Sequence, residues 1–215
     1  MAARAIFLDR DGTLVEPRHY PTRPEELVLF AGVADELRRL QAAGFRLVLV
    51  TNQSGLARGY FSEAALAAMH DHLARELARS GVRLAGIYYC PHHPEGSVPD
   101  FTRDCDCRKP APGLILQASA DLALDPARSW LVGDILDDIE AGWRAGCRTV
   151  LVDLGTESFP GAAMRTPDYV ARDTCHALRL IRAVEELGPP VDLAYRPAGW
   201  AVASMAAGSM VEREV

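Results

Sequence analysis

The chain has 215 residues, 49% of them apolar and 24% charged, which allows one large domain or two small ones around a substantial core. A net charge of −6 argues against non-specific binding to nucleic acid or to an anionic membrane, and it obliges any site for an anionic ligand to gather its own positive charge. No uninterrupted apolar run approaches the ~18 residues of a membrane span, and Asp9 interrupts any signal-like leader, so the default expectation is a cytoplasmic protein without membrane or nucleic-acid partners.

Ile6–Leu8 reads as a short buried strand, and Gly12 as the turn beyond it. Asp9 and Asp11 stand between them, two carboxylates separated by one residue. Strand ends are where open α/β sheets bind ligands. A carboxylate there is costly unless something positive meets it. Two invite a metal, with one group free to attack phosphorus and the other to carry a proton. A polar turn is the plainer alternative, and later segments weigh against it.

Residues 17–24 form a proline-rich loop. Val33, Leu37 and Leu40 recur at helical spacing, and Gly44 ends that helix. A second strand, Arg46–Val50, runs into Thr51-Asn52-Gln53-Ser54-Gly55, whose hydroxyls and amides suit phosphate oxygens without adding charge. Ser62 is placed to cap a helix whose core stripe is Leu66, Met69, Leu73 and Leu77. Ile87–Tyr89 is a third strand.

A polar, irregular stretch then runs from Cys90 to Pro112. Cys90 and His92, then Cys105 and Cys107, form two ligand pairs suited to tetrahedral Zn²⁺, with His93 the rival of His92. Four protein ligands would leave no open position for water, so the zinc would be structural, clasping the loop that carries Arg108 and Lys109. Lys109 is the only lysine; the other 22 basic residues are arginine. An ammonium is a compact point charge suited to a phosphate, whereas a guanidinium is a planar fork.

Residues 114–123 read as a helix, and Trp130–Val132 as a strand that runs into Gly133 and Asp134. Asp134 is placed to complete a metal site with Asp9, while Asp137 suits a helix N-terminus. Ile139–Ala145 is a helix closed by Gly146, and Thr149–Val152 a further strand. Cys147 and Cys175 read as ordinary buried cysteines. Residues 188–215, opened by Pro189-Pro190 and rich in Ala, Gly and Ser, form a tail with no assignable role. The alternation implies an α/β fold, a Rossmann-like parallel sheet with helices on both faces. No insertion is long enough for a large cap.

Asp9-Arg10-Asp11-Gly12-Thr13, Thr51, Lys109 and Gly133-Asp134…Asp138 together resemble the four motifs of haloacid dehalogenase-like phosphatases. Residues 51–59, 88–94 and 105–110 are similar to the subgroup of D-glycero-D-manno-heptose 1,7-bisphosphate phosphatases, and histidinol-phosphate phosphatases share much of this pattern. The resemblance covers roughly residues 4 to 187, read as one domain spanning 1–187.

The resemblance implies a Mg²⁺-dependent phosphatase working through an aspartyl phosphate. Asp9 is the nucleophile and Asp11 the acid and base. The Mg²⁺ ligands are Asp9, the Asp11 carbonyl and Asp134, with Thr51 and Lys109 on the phosphoryl oxygens. Asp138 supports Lys109 or a metal-bound water. The subgroup pattern selects His92 for zinc and places substrate contacts on Arg18, His19, Tyr20, Asn52, Gln53, Ser54 and Arg108. The substrate is a small phosphorylated sugar, and a monomer is expected. Where the subgroup often carries lysine after Gly-Asp, this chain has Ile135, which predicts weaker or altered substrate binding. The rival readings are a histidinol-phosphate phosphatase and a non-catalytic binder of a phosphorylated ligand.

Overall fold

Six apolar segments pair edge to edge into one parallel sheet in the computed structural model, which describes residues 2–158 and 161–188. They are β1 (Ala5–Leu8), β2 (Arg46–Asn52), β3 (Leu84–Cys90), β4 (Trp130–Gly133), β5 (Arg148–Val152) and β6 (Tyr169–Ala171), in the order β3-β2-β1-β4-β5-β6. Five helices alternate with them: α1 (Val33–Ala42), α2 (Glu63–Arg79), α3 (Gly113–Leu122), α4 (Leu136–Ala145) and α5 (Thr174–Leu187). Among the described residues no helix is long and apolar enough to cross a membrane.

Side chains alternate across a strand, and β1 uses both faces. Ile6 and Leu8 join the cluster that holds Leu37 of α1, Leu73 of α2 and Ile181 of α5. Ala5 and Phe7 join the opposite cluster with Leu114 and Ile115 of α3 and Ala141 of α4. Helices therefore cover both faces, as the alternating pattern implies. The strand order reverses direction between β1 and β4, which places their C-terminal ends side by side at the crevice where such sheets bind ligands.

Several boundaries move, with consequences for the site. β2 extends through Thr51 and Asn52, so both are strand residues rather than turn residues. α4 starts at Leu136 instead of Ile139, which puts Asp137 and Asp138 inside its first turn. Ser62 does cap α2, accepting from the Ala65 N–H at 3.2 Å. β6 and α5 are additions to the sequence reading; β6 is only three residues long, while α5 carries Asp173 as its N-cap. Cys147 is fully buried, but Cys175 is not: it is half-exposed on the first turn of α5, because Thr174 takes the inward position there. The tail assigned to 188–215 lies outside the described residues beyond Gly188.

The N-terminal end of the sheet is tied by one carboxylate. Glu185 of α5 accepts from Arg4 at 2.7 Å, from the Trp130 indole at 3.0 Å and from Arg148 at 2.5 Å. Arg148 lies over the Trp130 ring and Arg4 over Phe45. Removing the carboxylate strands three donors at once. Glu185→Ala is therefore expected to destabilise the fold by about 1–3 kcal/mol in chemical denaturation, with catalytic turnover unchanged because this end lies opposite Asp9.

Candidate active site

Asp9 continues β1, and its N–H donates to the Val132 carbonyl of β4 at 3.0 Å. Asp134 follows β4. The two carboxylates meet because β1 and β4 are neighbours. Gly12 makes the meeting possible: its φ is +80°, and a Cβ there would lie 2.3 Å from Asp134 Oδ2. Thr13 donates to Asp134 Oδ1 at 3.0 Å, and Thr174 of α5 donates to the Thr13 carbonyl at 2.6 Å. Gly133 serves Asp138 in the same way, since a Cβ would lie 2.3 Å from its Oδ2.

Lys109 is 2% exposed, and its ammonium is ringed by acceptors: Asp9 Oδ1 at 2.6 Å, Asp138 Oδ1 at 2.5 Å and the Val50 carbonyl at 3.0 Å. Asn52 holds the lysine backbone by two bonds, donating to its carbonyl at 3.1 Å and accepting its N–H at 3.0 Å. The peptide bond that follows, to Pro110, is cis. Burial acts to lower the Lys109 pKa, but the Asp138 and Asp9 carboxylates outweigh it and hold the group above its ordinary value.

The acids respond in the opposite sense. Burial, with Asp9 and Asp138 alongside, pushes Asp134 up to about 8. Burial also raises Asp138 to about 6, against the pull of Lys109. One acceptor oxygen from each of Asp9, Asp134 and Asp138 lies within 4.8 Å of the others. With all three carboxylates ionised, Asp9, Asp134 and Asp138 beside the one ammonium would carry two net negative charges, which one divalent cation balances, and oxygen donors are what Mg²⁺ takes. The residues fit such an ion.

The side chain of Asp11 is absent from that cluster. Its Oδ2 accepts from Arg10 Nε and Gln53 Nε2, each at 3.1 Å, so the carboxyl group faces the other way. The group is half-buried and stands at the mouth of a cavity of about 340 Å³ lined by Arg18, His19, Tyr20, Asn52, Gln53 and Ser54. Six of the seven sequence-derived substrate contacts thus gather in one place, Arg108 being absent from this lining, and the six differ in what they have to offer. Arg18 and His19 are exposed. The Tyr20 and Ser54 hydroxyls lie 3.4 Å apart. Asn52 is committed to the Lys109 backbone, and Gln53 to Asp11, Arg10 and Thr51. Thr51 accepts from Gln53 at 2.9 Å, which leaves its own proton to donate. Ile135 is half-buried at the N-cap of α4, its N–H donating to Asp138 Oδ2 at 3.3 Å.

Cys90, His92, Cys105 and Cys107 converge, with Sγ or Nδ1 atoms all within 4.8 Å of one another. His92 presents Nδ1, 3.3 Å from Cys107 Sγ, while Arg103 lies 2.6 Å from its other ring nitrogen. His93 turns away to Arg58 and the Glu95 N–H. Hydrogen bonding from Cys90 holds Cys107 down at about 5, so a thiolate is available here. Two soft pairs at this spacing suit a tetrahedral metal. Arg108 donates to the His92 carbonyl at 3.4 Å, which joins the cluster to the loop bearing Lys109.

Two residues of this centre were not singled out by sequence reasoning. Arg10 is buried and bonds Asp11, Gln53 and His70. His70 sits on the core face of α2, one residue from Met69 of the apolar stripe; a histidine on that face was the available signal. Burial, with the Arg10 cation beside it, pushes His70 down to about 3 from an ordinary 6.5. The unfolded chain takes up a proton near pH 6.5 that the folded chain refuses until about pH 3. Stability present above pH 6.5 is therefore lost as pH falls toward 3, by up to about 1.4 kcal/mol per pH unit. Urea unfolding at pH 7 and 4.5 is expected to show this slope, and His70→Gln to flatten it.

A family model described as HAD-hydrolase-like matches residues 106–177. The chain is 48% identical over 159 residues to a D-glycero-beta-D-manno-heptose-1,7-bisphosphate 7-phosphatase of Escherichia coli strain K12, covering 74% of this chain and 83% of that one. It is 43% identical over 183 residues to the enzyme of the same name from Pasteurella multocida, covering 85% and 98%. The crystal structure of D,D-heptose 1,7-bisphosphate phosphatase from B. bronchiseptica, complexed with magnesium and phosphate, superposes with a TM-score of 0.70 at 34% identity, over 85% of this chain and 99% of that one. With buried carboxylates, a buried lysine and a strand-end threonine in the places described, the chain belongs to the heptose bisphosphate phosphatase family of haloacid dehalogenase-like phosphatases.

Proposed function

We propose that this protein removes the C7 phosphate of D-glycero-D-manno-heptose 1,7-bisphosphate, through an aspartyl phosphate on Asp9, as a step in making nucleotide-activated heptose. The observation that carries the reading is the separation of duties between two carboxylates one residue apart. Asp9 faces Lys109 and the acidic cluster, whereas Asp11 faces the cavity and keeps clear of them. A nucleophile needs charge neutralisation beside it, and a general acid–base needs freedom from a metal. The names of the relatives support the substrate.

Asp9, Asp134 and the backbone carbonyl of Asp11 would hold Mg²⁺, which when bound neutralises charge on the phosphoryl oxygens. Asp9 attacks phosphorus as Asp11 protonates the departing sugar oxygen. Asp11 then takes a proton from the water that splits the aspartyl phosphate. Thr51 donates its free proton to a phosphoryl oxygen, and Lys109 supplies charge where the transition state gathers it. Asp138 and Asn52 keep the lysine in place. Tyr20, Ser54, Arg18, His19 and Arg108 are the residues left to contact the sugar and its second phosphate. Zn²⁺ held by Cys90, His92, Cys105 and Cys107 would fix the loop that delivers Arg108 and Lys109.

Asp9→Asn is expected to abolish turnover in a folded protein, and acid quench of the wild type with ³²P-labelled substrate to leave label on Asp9. Turnover by Asp9→Asn at the wild-type rate defeats the mechanism. A panel of both heptose bisphosphate anomers and histidinol phosphate, ranked by kcat/KM, tests the substrate; preference for histidinol phosphate replaces the heptose assignment. Metal analysis is expected to give about one zinc per chain, as for one four-ligand site. Cys105→Ser should lose it, expose residues 90–109 to proteolysis and lower activity beyond rescue by added Mg²⁺. Full activity with an intact loop in zinc-free protein is the contrary result.

A further inference from the structure

The carboxyl group of Asp11 is held from one side only. Its Oδ2 is met by Arg10 Nε at 3.1 Å, Arg10 Nη2 at 2.9 Å and Gln53 Nε2 at 3.1 Å. Its Oδ1 is buried from solvent and has no hydrogen-bond partner. One oxygen is saturated and its twin is bare, an arrangement that is costly for a carboxylate unless the bare oxygen serves a passing group.

The saturated side is itself anchored. Arg10 is 1% exposed, and its planar fork is pinned at three corners. One corner meets Asp11. A second donates to Gln53 Oε1 at 2.8 Å. The third, Nη1, faces His70 Nε2 of α2 at 3.3 Å. A guanidinium carries no acceptor, so Nε2 must be the unprotonated nitrogen and the imidazole neutral. The ring is buried and packs against Tyr89 of β3 at 5.6 Å between centroids. None of these groups belongs to the metal-facing cluster of Asp9, Asp134 and Asp138.

We propose that Gln53, Arg10 and His70 form a buried brace that turns Asp11 so that Oδ1 alone carries the catalytic proton, His70 being a positioning residue that acts through Arg10. The inference rests on the acid–base reading of Asp11 given above. In the first half-reaction an oxygen of Asp9 bonds to phosphorus as the bond from phosphorus to the sugar oxygen breaks, and the proton on Oδ1 goes to that oxygen. In the second, water oxygen bonds to phosphorus, the bond to Asp9 breaks, and the water proton returns to Oδ1. Oδ2 keeps its three contacts throughout. If the brace loosens, the carboxyl rotates and proton delivery fails, while phosphate binding by Lys109 and Thr51 persists.

Leaving-group dependence separates this from a structural role. The sugar oxygen leaves as a strongly basic alkoxide and needs the proton, whereas p-nitrophenolate leaves without one. The readout is the rapid-quench rate at which Asp9 is phosphorylated, by heptose 1,7-bisphosphate and by p-nitrophenyl phosphate. His70→Leu keeps volume and removes the acceptor. It is expected to slow transfer from the sugar about tenfold, a part of the 10²–10⁴ that a general acid supplies, with transfer from p-nitrophenyl phosphate changed less than twofold and KM unchanged. His70→Gln restores an acceptor and should recover most of the loss. His70→Met, which removes the acceptor with a flexible side chain of similar size, should show the same selectivity, so the proposal stays testable if His70→Leu misfolds. Equal loss on both substrates, a loss confined to KM, or wild-type rates in folded His70→Leu overturns the brace. Asp11→Asn is the reference: if its loss is also independent of leaving group, the acid–base assignment itself fails; if Asp11→Asn is selective and the His70 variants are not, only the brace fails.

Discussion

The reactive end of this molecule is organised around one buried ammonium. Lys109 sits among Asp9, Asp138 and the Val50 carbonyl with almost no exposure to water. Buried carboxylates without a cation would protonate or pull apart. Supplying that cation is a demand on the chain, because Lys109 lies on no strand or helix. It is brought in by the irregular stretch after β3 and held there by both amide atoms of Asn52, at the end of β2. The four-ligand Cys/His cluster sits on that same stretch, and its last cysteine is two residues from the lysine. Asn52 fixes the segment that carries the ammonium, and the Cys/His cluster lies on that same segment.

The sheet divides its two ends between stability and chemistry. At the N-terminal end Glu185 gathers Arg4, Arg148 and Trp130, each charge or dipole matched at once. At the C-terminal end negative charge is in excess, and burial, with Asp9 and Asp138 alongside, raises the pKa of Asp134. Glycines at 12 and 133 exist for this end, since a methyl group at either position would collide with a carboxylate. The pattern is that of a site whose residues are held apart from their own electrostatic preference by the packed frame beneath them.

Much of this was legible in the sequence because the chemistry coincides with strand ends. Apolar runs at 6–8, 46–50 and 130–132 announce their strands, and the polar residue after each is where an α/β sheet exposes its site. The Cys/His spacing was equally legible, and so was the singularity of Lys109. What was not legible depended on contacts between distant segments. β6 is three residues long, too short for a period of two to register. Cys175 looked like any small apolar residue, and only the inward turn of Thr174 toward Thr13 explains its exposure. Asn52 and Gln53 have the composition of ligand-binding residues, yet their amides are spent on Lys109, Asp11 and Thr51. The donors and acceptors of a side chain can be counted from sequence; whether the protein has already engaged them cannot. His70 was not singled out because its partner, Arg10, lies 60 positions away.

The same contacts explain why one lysine survives among 22 arginines. At position 109 the acceptors come from three different segments, β1, β2 and α4, and surround a point in space. An ammonium has three donors directed around one atom and can meet them all, whereas a guanidinium is too large for the volume and confines its donors to a plane. At position 10 the demand is reversed. There one carboxyl oxygen is met from one side, and a planar fork bonded at its other corners to Gln53 and His70 restricts rotation as an ammonium does not. Two carboxylates one residue apart in sequence therefore have different cations beside them. In the mechanism proposed above, Asp9, beside the point charge, attacks, and Asp11, beside the planar fork, aims a proton. On that mechanism the choice of basic residue at each position follows from what the neighbouring acid does.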